Sequence, residues 1–352
     1  MISSGAINMP LHYGRMPRWF TDHMGELTKA VIESVVINYG KSELLTRMSD
    51  PNWFQSLGAC AGMHYSSSGV TAAVLGSVRR KINPMAKELG LYFVGGKGKA
   101  AGRCARQLEK IAHDNSLDGD NLVRSCQLAR RVDNNVIQDG YALYQQHMIV
   151  SDEGSWAGIT QGMNTSNRRA RRYHMHSPDI RSFVEDPHTG IVGDRGDSIL
   201  NLADVRASDA RQHIVQMIQD EPREVLEGAR EVTFGNYHEV RDQDVDLKRL
   251  GAVLALANGE IDNFEDLIML KGVGPRTLRA LALTSELIHG SSSRFDDPAR
   301  FSFAIGGKDG RPGPIDRQAL RETINHLQES VEQSKLGFSD KSKALKRLHR
   351  AT

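Results

Sequence analysis

Apolar residues recur at helical spacing in three segments of the first 150 residues. In residues 21–40 they fall on one face of a helix that we expect Thr21 to cap and Gly40 to end. The members of this face are Leu27, Val31, Val35 and Val36. Residues 69–82, "GVTAAVLGSVRRKI", predict a second helix, and residues 120–150, "DNLVRSCQLARRVDNNVIQDGYALYQQHMIV", predict one long helix or two.

Shorter apolar runs lie between and after these segments and predict strands. Residues 91–96, "LYFVGG", have the pattern of a buried strand that ends in a glycine loop. Residues 154–163, "GSWAGITQGM", and residues 170–176, "ARRYHMH", are further candidate strands. The first half of the chain is therefore predicted to be mixed α and β.

The domain boundary is predicted near residue 200, because after about Asn201 the strand pattern nearly disappears and helix follows helix. We predict an α+β chain with a mixed α/β domain in residues 1–200, which would hold the base pocket and a basic surface. An all-α domain in residues 201–352 is predicted to follow, with a helix–hairpin–helix at residues 262–290.

The hairpin is predicted from residues 270–283, "LKGVGPRTLRALAL". Before it, Asp262 or Asn263 can cap a short helix, and Pro275 suits the first turn of the next one. Glycine adopts positive φ readily and lets a ligand approach the main chain. We expect the amides around the two glycines, helped by the dipole of the following helix, to face phosphate oxygens. The residues predicted to contact a nucleic-acid backbone there are Lys271, Gly272, Val273, Gly274, Arg276 and Thr277.

Composition adds a local rather than a global charge signal. The formal net charge of +2 does not by itself imply a polyanionic partner, but the basic clusters "VRRK", "GGKGKAAGR" and "NRRARRYH" all lie in the first half. From them we expect further DNA contacts by Lys97, Lys99, Arg171 and Arg172. The chain has no apolar run long enough to cross a bilayer, no secretory pattern at its start and no C-x-x-C pair. We therefore expect a cytoplasmic protein without a membrane partner, and the oligomeric state is not predicted.

Two resemblances extend this interpretation. The hairpin segment resembles the helix–hairpin–helix of DNA repair proteins, which has the pattern L-x-G-V-G-x-x-T-A. Over nearly the whole chain, "MPLHYGRMPRWF", "DPNWFQSLG", "HYSSSGVT", "VDNNVIQDGYALYQQH" and "DPARFSFAIGGKDGRPGP" resemble the archaeal and bacterial family catalogued as domain of unknown function 763. The family pattern usually has a histidine where this chain has Ile305. Since the family name carries no reaction, this second resemblance implies architecture rather than function.

The hairpin resemblance implies a DNA glycosylase. In glycosylases with this hairpin a catalytic aspartate follows G-V-G, and "GPIDRQALR" resembles the segment that carries it, which makes Asp316 its counterpart. Lys308 and Asp309 of the preceding "GGKDG" are added as candidate catalytic residues. Bifunctional members have a lysine where this chain has Arg276, and an arginine stays protonated and forms no Schiff base. The implied activity is monofunctional excision of a modified or damaged base, such as a hypermodified phage base, in repair or antiviral defence.

Base excision also requires a flipped nucleotide and a polar pocket to receive it. The residues of the first half that we assign to this pocket are His12, Tyr13, Gln55, His64, Tyr141, Gln161 and Asn164. No cofactor is expected, and a structural monovalent cation at the hairpin is compatible with this assignment.

Two alternatives remain open. Asp133 and Asp139 would point to opposite faces of a straight helix, but a helix break, or partners such as Glu153 and Asp186, would allow a metal-dependent nuclease. Only this alternative requires a divalent metal. The other alternative is a DNA-binding module without catalysis.

Overall fold

The computed structural model of the chain describes most of its first 300 residues and a few positions beyond them. The described residues are 9–11, 14, 16–63, 67–196, 198–220, 222–234, 246–257, 261–299, 325, 329, 332, 341–343 and 345–346.

Three helices open the described part: α1 (Arg18–Ser49), α2 (Pro51–Cys60) and α3 (Gly69–Ile82). The bounds of α3 confirm the predicted helix over residues 69–82. Both predicted ends of α1 are wrong. The helix begins three residues before Thr21, whose hydroxyl donates to the carbonyl of Arg18. At Gly40 a φ of +89° kinks the helix without ending it, because apolar residues resume on the buried face beyond the kink.

The strands form two antiparallel sheets. In chain order they are β1 (Leu91–Lys97), β2 (Ile137–Gln138), β3 (Ala142–Ser151), β4 (Trp156–Asn164), β5 (Arg169–His176), β6 (His188–Val192), β7 (Ser198–Asn201) and β8 (Arg294–Asp296). The larger sheet has the order β1-β3-β4-β5-β6, and the smaller one the order β2-β7-β8. The three strands predicted from "LYFVGG", "GSWAGITQGM" and "ARRYHMH" are confirmed as β1, β4 and β5.

Helices cover both faces of the larger sheet. Phe93 and Ile149 belong to the apolar core that the sheet shares with α1, α2 and α3, whereas Met148 and Trp156 belong to the core on the other face. That second core includes α5 (Cys104–Asn115) and α6 (Gly119–Arg131); the four-residue helix α4 (Ala86–Leu89) precedes β1.

The prediction of helix over residues 120–150 is wrong after α6. A π-helical turn, Val132–Val136, follows α6, and residues 142–150 belong to β3. The side chains of β3 are buried on both faces from Gln145 onward, so its sequence lacks the polar–apolar alternation that marks a half-exposed strand.

The second half of the chain supplies most of the remaining helices. They are α7 (Ser208–Asp220), α8 (Pro222–Phe234), α9 (Leu247–Ala257), α10 (Phe264–Met269) and α11 (Pro275–His289). The mixed α and β character of the chain is thus confirmed, but β8 is a strand inside the region predicted to be all-α. One apolar core also runs from Leu128 of α6 to Leu254 and Leu281 of the later helices, across the boundary predicted near residue 200. No helix in the described ranges has the combination of length and apolar character needed to cross a membrane.

Candidate functional site

The predicted helical hairpin is formed by α10, a turn and α11. The Asn263 side chain caps α10 by accepting a hydrogen bond from the amide of Asp266 at 3.0 Å, and Pro275 is the first residue of α11. Gly272 has a φ of +100°, a conformation that side chains disfavour, whereas Gly274 is extended at −136°. The cap, the first-turn proline and the sharp turn predicted from the sequence are therefore confirmed.

The tip of the hairpin is open on one side and anchored on the other. Lys271 and Arg276 are exposed, and Gly272 is half-buried. Val273 is only 1% exposed, and Thr277 is also buried. Both side chains pack inward as anchors of the turn, so a nucleic acid would meet these residues at the main chain, and their contact stays a prediction. The amide of Val273 donates to the carbonyl of Leu270 at 3.3 Å.

Three side chains hold the carbonyls of the turn. Arg131 donates from Nη1 to the Val273 oxygen at 2.9 Å, and Arg249 donates from Nε to the Gly272 oxygen at 2.9 Å. Gln138 donates from Nε2 to the Pro275 oxygen at 2.7 Å. The amides of Lys271, Gly272 and Gly274, in contrast, have no hydrogen-bond acceptor in the part of the chain that the structure describes. The turn thus has three carbonyls held by side chains and three N–H groups without an acceptor in that part of the chain, an arrangement that favours an anion.

A cleft of about 540 Å³ adjoins this turn. Its walls come from the end of α6, the π-helical turn and the hairpin, and they consist of Gln127, Arg130, Arg131, Asn134, Asn135, Met269, Lys271 and Gly272. Burial, and after it the positive charge of Arg130, lowers the pKa of Arg131. No acidic side chain among the described residues forms an ion pair with Arg130, Arg131 or Lys271. The cleft therefore carries concentrated positive charge that an anionic ligand would neutralise.

Two arginines predicted to bind DNA are buried instead. Arg171 is 1% exposed; it pairs with Asp139 at 2.9 Å and with Asp297 at 2.6 Å. Arg172 is 0% exposed and donates to Gln55 at 2.9 Å. The prediction is wrong because β5 lies inside a sheet that is covered on both faces, so alternate side chains are buried whichever way they point.

The predicted base-pocket residues fall into separate groups. Gln55 and Gln161 are buried in one polar network, since Arg172 also bonds Thr71 at 3.4 Å and Thr71 donates to Gln161 at 2.5 Å. Tyr141 instead packs on Arg171: the centroid of its ring lies 4.7 Å from the Arg171 guanidinium.

Asn164 of this set lies at the end of β4, where its side chain accepts hydrogen bonds from the amide and hydroxyl of Ser166. It therefore closes the turn to β5. Nothing in these contacts brings Asn164 to the buried pair of glutamines.

The carboxylates proposed for a nuclease are occupied by other partners. Asp133 is fully buried and bonds Nε2 of His188 at 2.6 Å and the hydroxyl of Thr160 at 2.5 Å. Asp139 bonds Arg171, and it also accepts from the hydroxyl of Tyr173 at 2.6 Å. Within the described ranges, no group of three or more His, Cys, Asp or Glu side chains is placed to hold a metal ion. Asp133 and Asp139 are thus engaged in ion pairs and hydrogen bonds rather than set out as a pair of metal ligands.

Lys97 and Lys99 are exposed at the end of β1 and in the short helical turn Gly98–Arg103 that follows it. The ammonium group of Lys97 lies 5.5 Å from the centroid of the Tyr144 ring. Their role in binding remains a prediction.

Several predicted residues lie outside the described part of the chain. They are the pocket residues His12, Tyr13 and His64 and the catalytic candidates Lys308, Asp309 and Asp316.

Sequence reasoning missed four residues that adjoin the turn, namely Gln127, Arg130, Arg131 and Arg249. The pair "RR" at the end of α6 was visible as charge, but its partner Val273 is 142 residues away in the chain. A pattern among neighbouring residues of the sequence does not indicate a contact over that distance in the chain.

The sequence comparisons come from a family model and from searches of known proteins. The family model described as "Protein of unknown function (DUF763)" matches residues 5–315. No curated protein and no solved structure matches the chain. The family match extends over far more than half of the sequence and includes the hairpin and the cleft. The chain therefore belongs to the DUF763 family.

Proposed function

We propose that this protein binds a DNA strand through its phosphates at the hairpin and the adjoining cleft, and that it is a monofunctional DNA glycosylase. The observation that carries the binding proposal is the position of Arg130, Arg131 and Lys271 around a turn in which the amides of Lys271, Gly272 and Gly274 have no acceptor among the described residues. Main-chain amides and cations are the groups that proteins use to contact nucleic-acid phosphates without reading sequence.

The geometry of the turn supports this function beyond its charge. Arg131 and Arg249 fix the carbonyls of the turn, so the amide groups between them keep one orientation. An amide that is already oriented loses little conformational entropy when a phosphate binds. The turn therefore suits binding to a repeated, sequence-independent group.

Two further basic residues of the first half, Lys99 and Arg103, are exposed in the turn Gly98–Arg103. This turn leads directly into α5, which packs against α6, the helix that carries Arg130. Lys99 and Arg103 of that turn would continue the path of a bound strand away from the hairpin.

The reaction that we propose is hydrolysis of an N-glycosidic bond. Breaking this bond builds positive charge on the deoxyribose, and a carboxylate that faces the sugar stabilises that charge or positions the attacking water. We assign this role to Asp316 on its resemblance to the glycosylase segment, and Lys308 and Asp309 are its candidate neighbours. The target is a modified or damaged base, and a hypermodified phage base would place the protein in antiviral defence.

The experiment is incubation of the protein with plain, deaminated and hypermodified DNA, followed by treatment with and without alkali. A glycosylase releases free base and leaves strands that break only after alkali. EDTA-sensitive direct cleavage would instead indicate the nuclease, and binding without either product would indicate a non-catalytic module. The Asp316→Asn variant should lose base release and keep its DNA affinity; unchanged base release would remove Asp316 from the mechanism.

A further inference from the structure

The cleft beside the hairpin is much larger than a phosphate group. Its volume of about 540 Å³ lies within the range of roughly 300–1,000 Å³ that is usual for small-molecule sites. Contact with a duplex backbone alone would leave most of this recess empty, and a whole duplex is too wide to enter it. The recess therefore has room for a group that a strand can insert.

Asn135 lines the cleft, and neighbouring hydrogen bonds fix which end of its side-chain amide is the oxygen and which is the nitrogen. The amide of Leu143 donates to Oδ1 of Asn134 at 3.0 Å, and an amide N–H can only donate, so the other end of that side chain is Nδ2. This Nδ2 donates to Oδ1 of Asn135 at 2.9 Å. Nδ2 of Asn135 is then the side-chain atom left for the cleft, although the residue is only 4% exposed.

The same cleft is also lined by two exposed cations and one apolar side chain. Arg130 and Lys271 are exposed at the cleft, and Met269 is half-buried there. Arginine and lysine bind phosphate, and a methionine thioether packs well against an aromatic ring. Gln127 at the rim can donate or accept.

We propose that this cleft seats one unpaired nucleotide of the DNA strand, an inference that rests on the proposed DNA binding. The phosphate of the nucleotide lies against Arg130 and Lys271, its base packs on Met269, and Nδ2 of Asn135 donates to an acceptor on the Watson–Crick edge. In a paired base that edge is occupied, and in an unpaired base it is free. The cleft, rather than the buried Gln55 and Gln161, is then the base-reading site.

The test is equilibrium binding of the full chain to three fluorescein-labelled DNAs at one salt concentration: a blunt duplex, the same duplex with one bulged nucleotide, and a single strand. We expect the bulged and single-stranded DNAs to bind at least tenfold more tightly than the blunt duplex. In Asn135→Asp the oxygen that bonds Asn134 is kept and the donor becomes an acceptor. This variant should lose that tenfold preference; because its new carboxylate also repels phosphates, the readout is the ratio of the bulged to the blunt affinity and not either affinity alone.

The matched control is Arg130→Gln, which should weaken binding to all three DNAs by a similar factor. A second measurement needs no variant: 4-thiothymidine at the bulged position should cross-link to the peptides that contain Gln127–Asn135 or Met269. Equal wild-type affinity for the three DNAs, or cross-links confined to other peptides, would overturn the inference while DNA binding stood. Mononucleotides that compete as well as bulged DNA would overturn the assignment to a strand. Absence of binding to any DNA would overturn the proposed function itself.

Discussion

The guanidinium of Arg131 donates a hydrogen bond of 2.9 Å to the main-chain carbonyl of Val273, 142 residues further along the chain. This bond joins the end of α6 to the turn between α10 and α11. It fixes the turn by its carbonyl and brings a positive charge to the cleft. We therefore expect both stability and the proposed ligand binding to depend on this side chain.

Replacement of Arg131 by Met should lower both properties. The carbonyl oxygen of Val273 would lose its side-chain donor, which costs about 1–3 kcal/mol in the free energy of unfolding. Urea unfolding and DNA-binding titrations measure the two effects. The control is Arg124→Met on the same helix, which removes a partly exposed ion pair with Asp266 and should cost less than about 1 kcal/mol. Equal losses in the two variants would contradict the role of the Arg131–Val273 bond.

The two glycines of the hairpin should respond differently to alanine. Gly272 has a φ of +100°, so Gly272→Ala should cost about 1–2 kcal/mol through backbone strain. Gly274 is extended at −136°, and a Cβ there would come no closer than 3.8 Å to Arg249, so Gly274→Ala should change stability by less than about 1 kcal/mol. Thermal unfolding of both variants provides the measurement. A larger loss at Gly274 would mean that the turn has a different backbone conformation.

Arg171 should be essential for stability rather than for binding. It lies between the carboxylates of Asp139 and Asp297, and removing it would leave two buried negative charges without their countercharge. We expect Arg171→Met to cost about 3–5 kcal/mol in the free energy of unfolding. Arg169→Met in the same strand removes a half-exposed pair with Asp194 and should cost less than about 1 kcal/mol. If Arg171→Met instead unfolded like the wild type, the buried triad would carry no net stabilisation.

Two buried histidines should make the protein sensitive to acid. Burial, and then the positive charge of Arg79, lowers the pKa of His147 to about 3. Burial lowers the pKa of His174 well below its usual range, and the Arg172 charge adds to this effect. The unfolded chain binds these protons below about pH 6.5 and the folded chain does not, so stability is full above pH 6.5 and falls as the pH drops towards 3. His147 should contribute a slope of about 1.4 kcal/mol per pH unit within that window, and His174 acts in the same direction.

The measurement is guanidinium unfolding of the wild type and of His147→Gln between pH 7 and pH 4. The variant should show the shallower loss of stability. His113→Gln changes an exposed histidine and serves as the control, with the pH profile of the wild type. Parallel profiles for His147→Gln and the wild type would show that His147 is not held neutral.

The local parts of the fold were predictable from the sequence for physical reasons. Asn263 and Pro275 act within a few residues of their own positions, as a cap and a first-turn residue. The strands β1, β4 and β5 were recognisable because each is a short run bounded by turn residues. β3 was not, since burial on both faces removes the alternation that distinguishes a strand from a helix.

The candidate site was predictable only in its main-chain part. Glycines that allow a sharp turn are visible in a sequence, and Gly272 has the expected positive φ. Exposure is a tertiary property, so "ARRYH" was interpreted as a basic surface although its arginines are buried. The Arg130–Arg131 pair reaches the turn only because α6 packs against the hairpin, and no spacing in the sequence encodes that contact.

The most direct test of the central claim is the salt dependence of DNA affinity for the wild type and for the double variant Arg130→Gln/Lys271→Gln. Each cation that contacts a phosphate contributes about one unit to the slope of log K against log salt. We predict that the wild type binds duplexes of unrelated sequence with similar affinity, and that the double variant loses about two units of slope on each of them. A wild type that does not bind DNA, or a double variant whose slope equals that of the wild type, would contradict the claim.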